Sequence, residues 1–158
     1  MTVVIPPACG NDVYEARMAE AFTAAPLSGV DAVAFGDLFL GDVRAYRERR
    51  LAAAGKRGLF PLWGQDTRAL ARDFLAAGFR ATLVCVDPQA LDRSFAGRRY
   101  EEQLLADLPA GVDPCGENGE FHTFVHAGPI LDVAIACATG DVVERDGFVF
   151  CDLLPGRS

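Results

Sequence analysis

Ala81-Thr82-Leu83-Val84-Cys85-Val86, followed at once by Asp87-Pro88, is the stretch on which the fold turns. The run is nearly all apolar, which predicts a strand buried on both faces, as strands of parallel sheets are. Upstream, Asp66 can cap a helix whose inner face is Leu70, Ala71, Phe74 and Leu75, and Gly78 is placed to end it. Leu59 to Leu62 predicts a second strand. Before it, Leu40, Val43, Tyr46 and Leu51 recur at helical spacing from Leu40 to Ala54, with Gly55 as the stop. Ala32 to Phe35 predicts a third strand, ending at Gly36-Asp37. Strand, helix, strand, helix, strand over residues 30–87 predicts an α/β unit with a parallel sheet.

At the start of the chain a short β-type run closes at Ile5, and Pro6-Pro7-Ala8-Cys9-Gly10 predicts a loop. Asp12 followed by Glu15 has the form of a capping box, opening a helix to about Ala24 that Pro26 and Gly29 break. Beyond Pro88 the pattern changes. Tyr100 to Leu108 predicts a short helix with Leu104, Leu105 and Leu108 on one face. Gly111, Pro114, Gly116 and Gly119 come next, followed by β-type runs at Phe121–His126, Val133–Ala138 and Val142–Cys151. Thr139-Gly140-Asp141 and Arg145-Asp146-Gly147 supply turns between or within them. This tail predicts a small C-terminal antiparallel β appendix packed onto the α/β body.

Composition sets the class of partner. The 158 residues carry 15 Lys+Arg against 22 Asp+Glu, a formal net charge of −7. That balance argues against nucleic acid, which needs surplus cationic side chains on one face. No apolar run approaches the roughly 18 to 20 residues of a membrane span. The start has no basic segment ahead of its apolar residues, so no signal peptide is expected and the cytoplasm is the expected compartment. The five cysteines, Cys9, Cys85, Cys115, Cys137 and Cys151, are scattered, with no Cys-x-x-Cys pair. Most of them fit small buried hydrophobes in a reducing compartment better than a zinc site, Cys115 being set apart by its polar neighbours.

The densest polar constellation is Asp113-Pro114-Cys115-Gly116-Glu117-Asn118-Gly119-Glu120-Phe121-His122-Thr123. Its glycines and proline favour a loop, and such a loop can aim Glu117, Glu120 and His122 into one cleft. A turn with solvated carboxylates is the competing reading. His122 and His126 are four apart, roughly 13 Å along a strand at about 3.3 Å per residue, too far to share a metal. No metal site is expected, although Mg²⁺ held by Glu117 or Glu120 together with a substrate phosphate stays open. Two further loops end expected strands. Gly36 could let a ligand approach the backbone and Asp37 could bind a ribose hydroxyl, against a plain turn and helix cap. Trp63, after Pro61 and Leu62, could stack on a base, against a partly buried core aromatic. No Walker loop, G-x-G-x-x-G or Gly-x-Ser-x-Gly occurs.

Phe35-Gly36-Asp37, Tyr46-Arg47, Pro61-Leu62-Trp63-Gly64, Leu91-Asp92, Gly97-Arg98 and above all Asp113 through Val125 resemble, in order, the diphthine–ammonia ligase family. These are N-type ATP pyrophosphatases of the adenine-nucleotide alpha-hydrolase superfamily. The resemblance implies a Rossmann-like body in residues 1–87 and a substrate-side region in residues 88–158. It implies ATP with Mg²⁺, adenylation of a substrate carboxylate, and displacement of AMP by ammonia. Glu117, Gly119 and Glu120 match the family's Glu-x-Gly-Glu loop. Glu117, Glu120 and His122 are the expected catalytic residues, and Cys115, Gly116, Asn118, Gly119, Phe121 and Thr123 the expected substrate contacts. Gly36, Asp37, Pro61, Leu62 and Trp63 are the expected nucleotide contacts. Bare carboxylates repel a triphosphate, so Glu117 and Glu120 are expected to act through Mg²⁺ or on a cationic group such as the trimethylammonium of diphthine.

The family's Ser-Gly-Gly-x-Asp-Ser phosphate loop has no counterpart here, so the expected body is N-terminally incomplete. Two other readings follow. One is a non-catalytic binding or assembly module that forms a homodimer or pairs with a separate N-terminal partner across an open sheet edge. The other keeps the fold and amidates a different small carboxylate, as in a bacterium.

Overall fold

The computed structural model describes residues 2–6, 9–24 and 29–156. The expected loop at Pro7-Ala8 and the expected break at Pro26 lie outside the described residues. The chain divides into two compact units, Met1–Gly64 and Gln65–Ser158.

The first unit holds α1 (Asn11–Thr23), β1 (Ala32–Ala34), α2 (Gly41–Ala53) and β2 (Arg57–Leu59). β1 and β2 pair in parallel, Ala32 opposite Arg57 and Ala34 opposite Leu59, so this segment has the expected strand–helix–strand order. The helix packs through Leu51, which is 1% exposed. Gly55 ends it with φ +68°, a left-handed conformation that a side chain would strain. The strand expected at Leu59–Leu62 lies earlier, because residues 61–64 form a turn with Trp63 N–H bonded to the Phe60 carbonyl. The capping box at Asp12 is not made. Gly10 is the N-cap, its carbonyl accepting from Val13 and Tyr14, and Asp12 sits in the first turn.

The second unit holds α3 (Thr67–Ala76), β3 (Arg80–Val86), β4 (Arg99–Tyr100), α4 (Glu102–Asp107), β5 (Phe121–Ala127), β6 (Cys137–Arg145) and β7 (Phe148–Pro155). Asp66 caps α3 as its position demands, its side chain accepting from Ala69 N–H at 2.7 Å.

The fold class read from sequence is corrected at β3. The expected Rossmann-like parallel body is absent: β3 lies in a five-stranded antiparallel sheet, and the tail expected as an appendix supplies most of that sheet. β5 runs antiparallel along one edge of β3, from Val86 opposite Phe121 to Arg80 opposite Ala127. The other edge is shared. β4 pairs with Ala81 and Thr82, β7 with Cys85 and Val86, and β6 follows outside β7. An apolar run reports how many faces of a strand are covered, not which way its neighbours run. Ala81, Leu83 and Val86 join a core with Ala71 of α3, Leu104 of α4, Phe121 and Val149. Thr82, on the opposite face, is only 6% exposed, in a cleft bordered by Thr139 and Leu153 of β6 and β7. Antiparallel partners therefore bury the strand as completely as crossover helices would.

The β-type run at Val133–Ala138 is not a strand before Cys137. Asp146-Gly147 makes the β6–β7 hairpin, with φ 51° and 83° suiting a two-residue turn of the twist that hairpins favour. Thr139-Gly140-Asp141 is a bulge, because Thr139 pairs with Leu153 and Val142 with Cys151, leaving two residues opposite one.

Candidate functional site

In the first unit, the residues expected at a nucleotide form one aromatic and ionic cluster. Phe35 stacks on Phe60 with ring centroids 5.5 Å apart, and Phe60 meets Trp63 edge-on at 6.2 Å. The guanidinium of Arg44 lies 4.6 Å from the Phe60 centroid and 4.7 Å from that of Trp63, so it already occupies a face of each ring. Arg47 covers Phe35 at 4.6 Å and reaches Asp37 twice. Its Nη2 donates to Oδ1 at 3.2 Å, and its Nε stands 2.7 Å from Oδ2, close enough for an ion pair though poorly aligned for a hydrogen bond. Gly36 has open space where a Cβ would stand and does not need to be glycine for its conformation. Pro61 and Leu62 shape the turn that presents Trp63. The cations that satisfy this cluster, Arg44 and Arg47, are three apart on α2, which was the available sequence signal.

In the second unit, residues 113–120 close on themselves. Gly116 N–H donates to the Asp113 carbonyl at 2.9 Å and Gly119 N–H to the Gly116 carbonyl at 3.0 Å. Glu117 N–H donates to Asp113 Oδ2 at 3.0 Å, and Asn118 N–H to Glu120 Oε2 at 3.0 Å. Glu120 Oε1 accepts from Asp113 N–H and from Asn118 Nδ2, both at 2.9 Å. Gly116 is required twice over: its φ is +69°, and a Cβ there would stand 2.8 Å from the Phe121 carbonyl oxygen. Two external ties hold the loop. Tyr100 OH donates to the Pro114 carbonyl at 2.7 Å, and Asp87 N–H to the Glu120 carbonyl at 2.9 Å.

The loop therefore brings together most of the expected residues in different roles. Glu120 is buried at 6% exposure with both carboxylate oxygens engaged in the loop. Burial pushes its carboxyl up, but hydrogen bonds from Asn118 and from backbone N–H groups outweigh that and hold it below the ordinary glutamate value. Asp113, which the sequence reading passed over, is the second internal acceptor; its spacing of four from Glu117 was the signal. Phe121 is buried in the core and lies 6.4 Å from Tyr100. Glu117 is half-buried, while Asn118, His122 and Thr123 are exposed. Cys115 donates its thiol to the Thr67 carbonyl at 3.4 Å. Burial first, then the carboxylates of Asp113 and Glu117, push that thiol up to about 11, so it stays protonated near neutrality and is a poor nucleophile.

Neither cluster fits a nucleotide or a resident metal as arranged. Asp37 is engaged by Arg47, the oxygens of Glu120 are taken by N–H donors, and the N–H groups of residues 116–119 all donate inside their own loop. Among the described residues no three of His, Cys, Asp and Glu gather in a way that could hold a metal ion. Nor is any described helix long and apolar enough to cross a membrane.

Comparison with known proteins places these features. The chain is 28% identical over 128 residues to the diphthine–ammonia ligase of Schizosaccharomyces pombe, an alignment covering 78% of this chain and 21% of that protein. The chain thus spans about a fifth of the length of the curated relative it matches. The model of the diphthamide synthase C-terminal domain matches residues 66–150, from the Asp66 cap to the middle of β7, and includes the whole 113–123 loop. With more than half of its length in that match, the chain belongs to the diphthamide synthase C-terminal domain family.

Proposed function

We propose that this chain is the substrate-holding part of an ATP-dependent amide ligase of the diphthine–ammonia ligase type, and that its 113–123 loop receives the cationic end of the substrate. One observation carries the reading: four consecutive N–H groups, at residues 116 to 119, all donate within the loop. Those four N–H groups are not available to cradle a phosphate or an oxyanion, and Glu117 adds a half-buried carboxylate to the same turn. An acidic loop suits a cation, and a quaternary ammonium, which has no N–H to donate, needs nearby negative charge rather than a hydrogen-bond acceptor. Glu117 is the carboxylate assigned to that charge. Glu120 and Asp113 hold the loop in shape, which makes them positioning residues. In an enzyme of this type ATP activates the substrate carboxylate and ammonia displaces AMP; the described residues fit neither nucleotide nor metal, so no part of that step is assigned to them.

Calorimetric titration of the chain with a diphthine-bearing peptide tests the reading. Saturable binding is expected, weakened about tenfold in Glu117→Gln, in line with the loss of one charge-assisted contact. Equal affinity in the variant, or no binding at millimolar peptide, overturns it.

A further inference from the structure

A cleft of about 820 Å³ opens beside the start of β3, bordered by both polar groups and edge residues of the core, and it lies wholly within the second unit. Among the groups lining it are Arg80 and Thr82 of β3, Arg99 of β4, Glu101 next to it, His126 of β5 and Thr139 of β6. Pairing explains why they converge. Arg99 stands opposite Thr82, and side chains two apart along a strand share a face, so Arg80, Thr82 and Arg99 point the same way. Arg80 and Arg99 are then diagonal neighbours, with backbones roughly 7 to 8 Å apart. His126 arrives by a bulge: Ala127 opposes Arg80 and Val125 opposes Ala81, which leaves His126 as the extra residue. Bulges re-aim side chains and recur beside binding sites.

The cleft is also kept open and kept cationic. Gly97, at φ +85°, lets the β6–β7 hairpin come close, since a Cβ there would stand 2.9 Å from Cys151 Sγ. Six other arginines are held in ion pairs, whereas Arg80 and Arg99, like Arg49, Arg57, Arg68 and Arg72, form neither an ion pair nor a side-chain hydrogen bond among the described residues. The one carboxylate lining the cleft, Glu101, is not ion-paired to either. In a chain of net charge −7, two uncommitted guanidiniums, an imidazole and two hydroxyls facing one ligand-sized space form a set of donors with a single opposing acceptor.

We infer that this cleft is a binding site for a small multivalent anion, its phosphate or carboxylate groups taken by Arg80 and Arg99 with Thr82, Thr139 and His126 as further donors. Guanidinium forks match both oxyanions in bidentate geometry. The site is separate from the 113–123 loop. None of residues 113–123 lines the cleft; Tyr100 borders it, and its hydroxyl reaches the Pro114 carbonyl of that loop. The inference does not rest on the cation-binding role proposed for the loop.

Proton–nitrogen NMR of the whole chain, titrated at constant ionic strength with inorganic phosphate and separately with citrate, provides the test. Saturable shifts are expected at residues 80–82, 99–101, 126 and 137–139, with residues 116–119 unmoved. Arg80 and Arg99 are both exposed, so the double variant Arg80→Gln/Arg99→Gln should keep the fold, shown by an unchanged spectrum elsewhere. It should bind at least about tenfold more weakly. Saturation by phosphate alone marks a phosphorylated ligand, by citrate alone a polycarboxylate, and by both a site for either. No saturation at millimolar concentrations of either anion, shifts confined to the 113–123 loop, or undiminished binding by the folded double variant overturns the inference.

Discussion

A carboxylate can serve a loop or a ligand, and at Glu120 the accounting favours the loop. Its two oxygens take three hydrogen bonds, from Asp113 N–H, Asn118 N–H and Asn118 Nδ2. Those bonds are made to the ionised form, which is why the group stays ionised despite being buried. The sign of the pH dependence follows. The folded value lies below the unfolded one, near about 4.3, so the contribution is complete above that pH and is lost as pH falls through the folded value. Urea unfolding of wild type and Glu120→Gln across acidic pH should show a stability gap that is constant near neutrality and narrows only below about pH 4.3. A gap that does not change with pH would mean that the ionised form is not the one held. The presence of Glu117, Glu120 and a glycine-rich turn was legible in sequence. Which carboxylate closes the turn was not, because that depends on backbone N–H directions set by the positive φ of Gly116 and Gly119.

Elements with strong local signals formed where expected. The Asp66 cap and the Gly78 stop of α3 are present, Gly78 with φ +86°, and of its expected inner face Ala71, Phe74 and Leu75 join the core whereas Leu70 does not. Replacing Asp66 by Ala removes one of the few partners for the first-turn N–H groups and should cost about 1 kcal/mol, read from the urea midpoint at unchanged slope. α4 followed the same logic, burying Leu104 completely with Leu105 and Leu108 against the same core; burial of such a side chain contributes about 1.5 to 3 kcal/mol. The capping box at Asp12 failed for a local reason. The chain enters α1 two residues earlier than that motif needs, so Gly10 takes the cap and Asp12 falls inside the helix. In β6, Gly140 permits a bulge as readily as a turn, and only pairing with β7 distinguishes them.

At the scale of the whole molecule, the core decides which part of the chain can stand alone. The cluster containing Leu83, Val86, Leu91, Leu104, Phe121 and Val149 lies entirely within residues 71–149. The sheet of β3 to β7 draws all its hydrogen-bonded neighbours from the second unit. Residues 65–158 produced alone should therefore fold, giving dispersed amide resonances and a single cooperative unfolding transition. A collapsed, poorly dispersed spectrum would show that this core does not suffice. The family match over residues 66–150 coincides with the same unit.

Sequence by itself determined what nearest neighbours can enforce. Capping side chains, glycines at left-handed positions, the Asp146-Gly147 hairpin, the α2 and α3 helices and the parallel β1–β2 pair all follow from interactions within a few residues or across one short helix. It also marked the 113–123 loop and carried the family resemblance. Tertiary structure alone decided the direction of the sheet around β3, since Ala81–Val86 is equally apolar beside parallel or antiparallel partners and its main partner, β5, begins some 35 residues later. It alone decided the bulge that turns His126 into the cleft with Arg80 and Arg99. Residues that distant in sequence are brought together by strand register, and register is fixed by the packing of both faces at once.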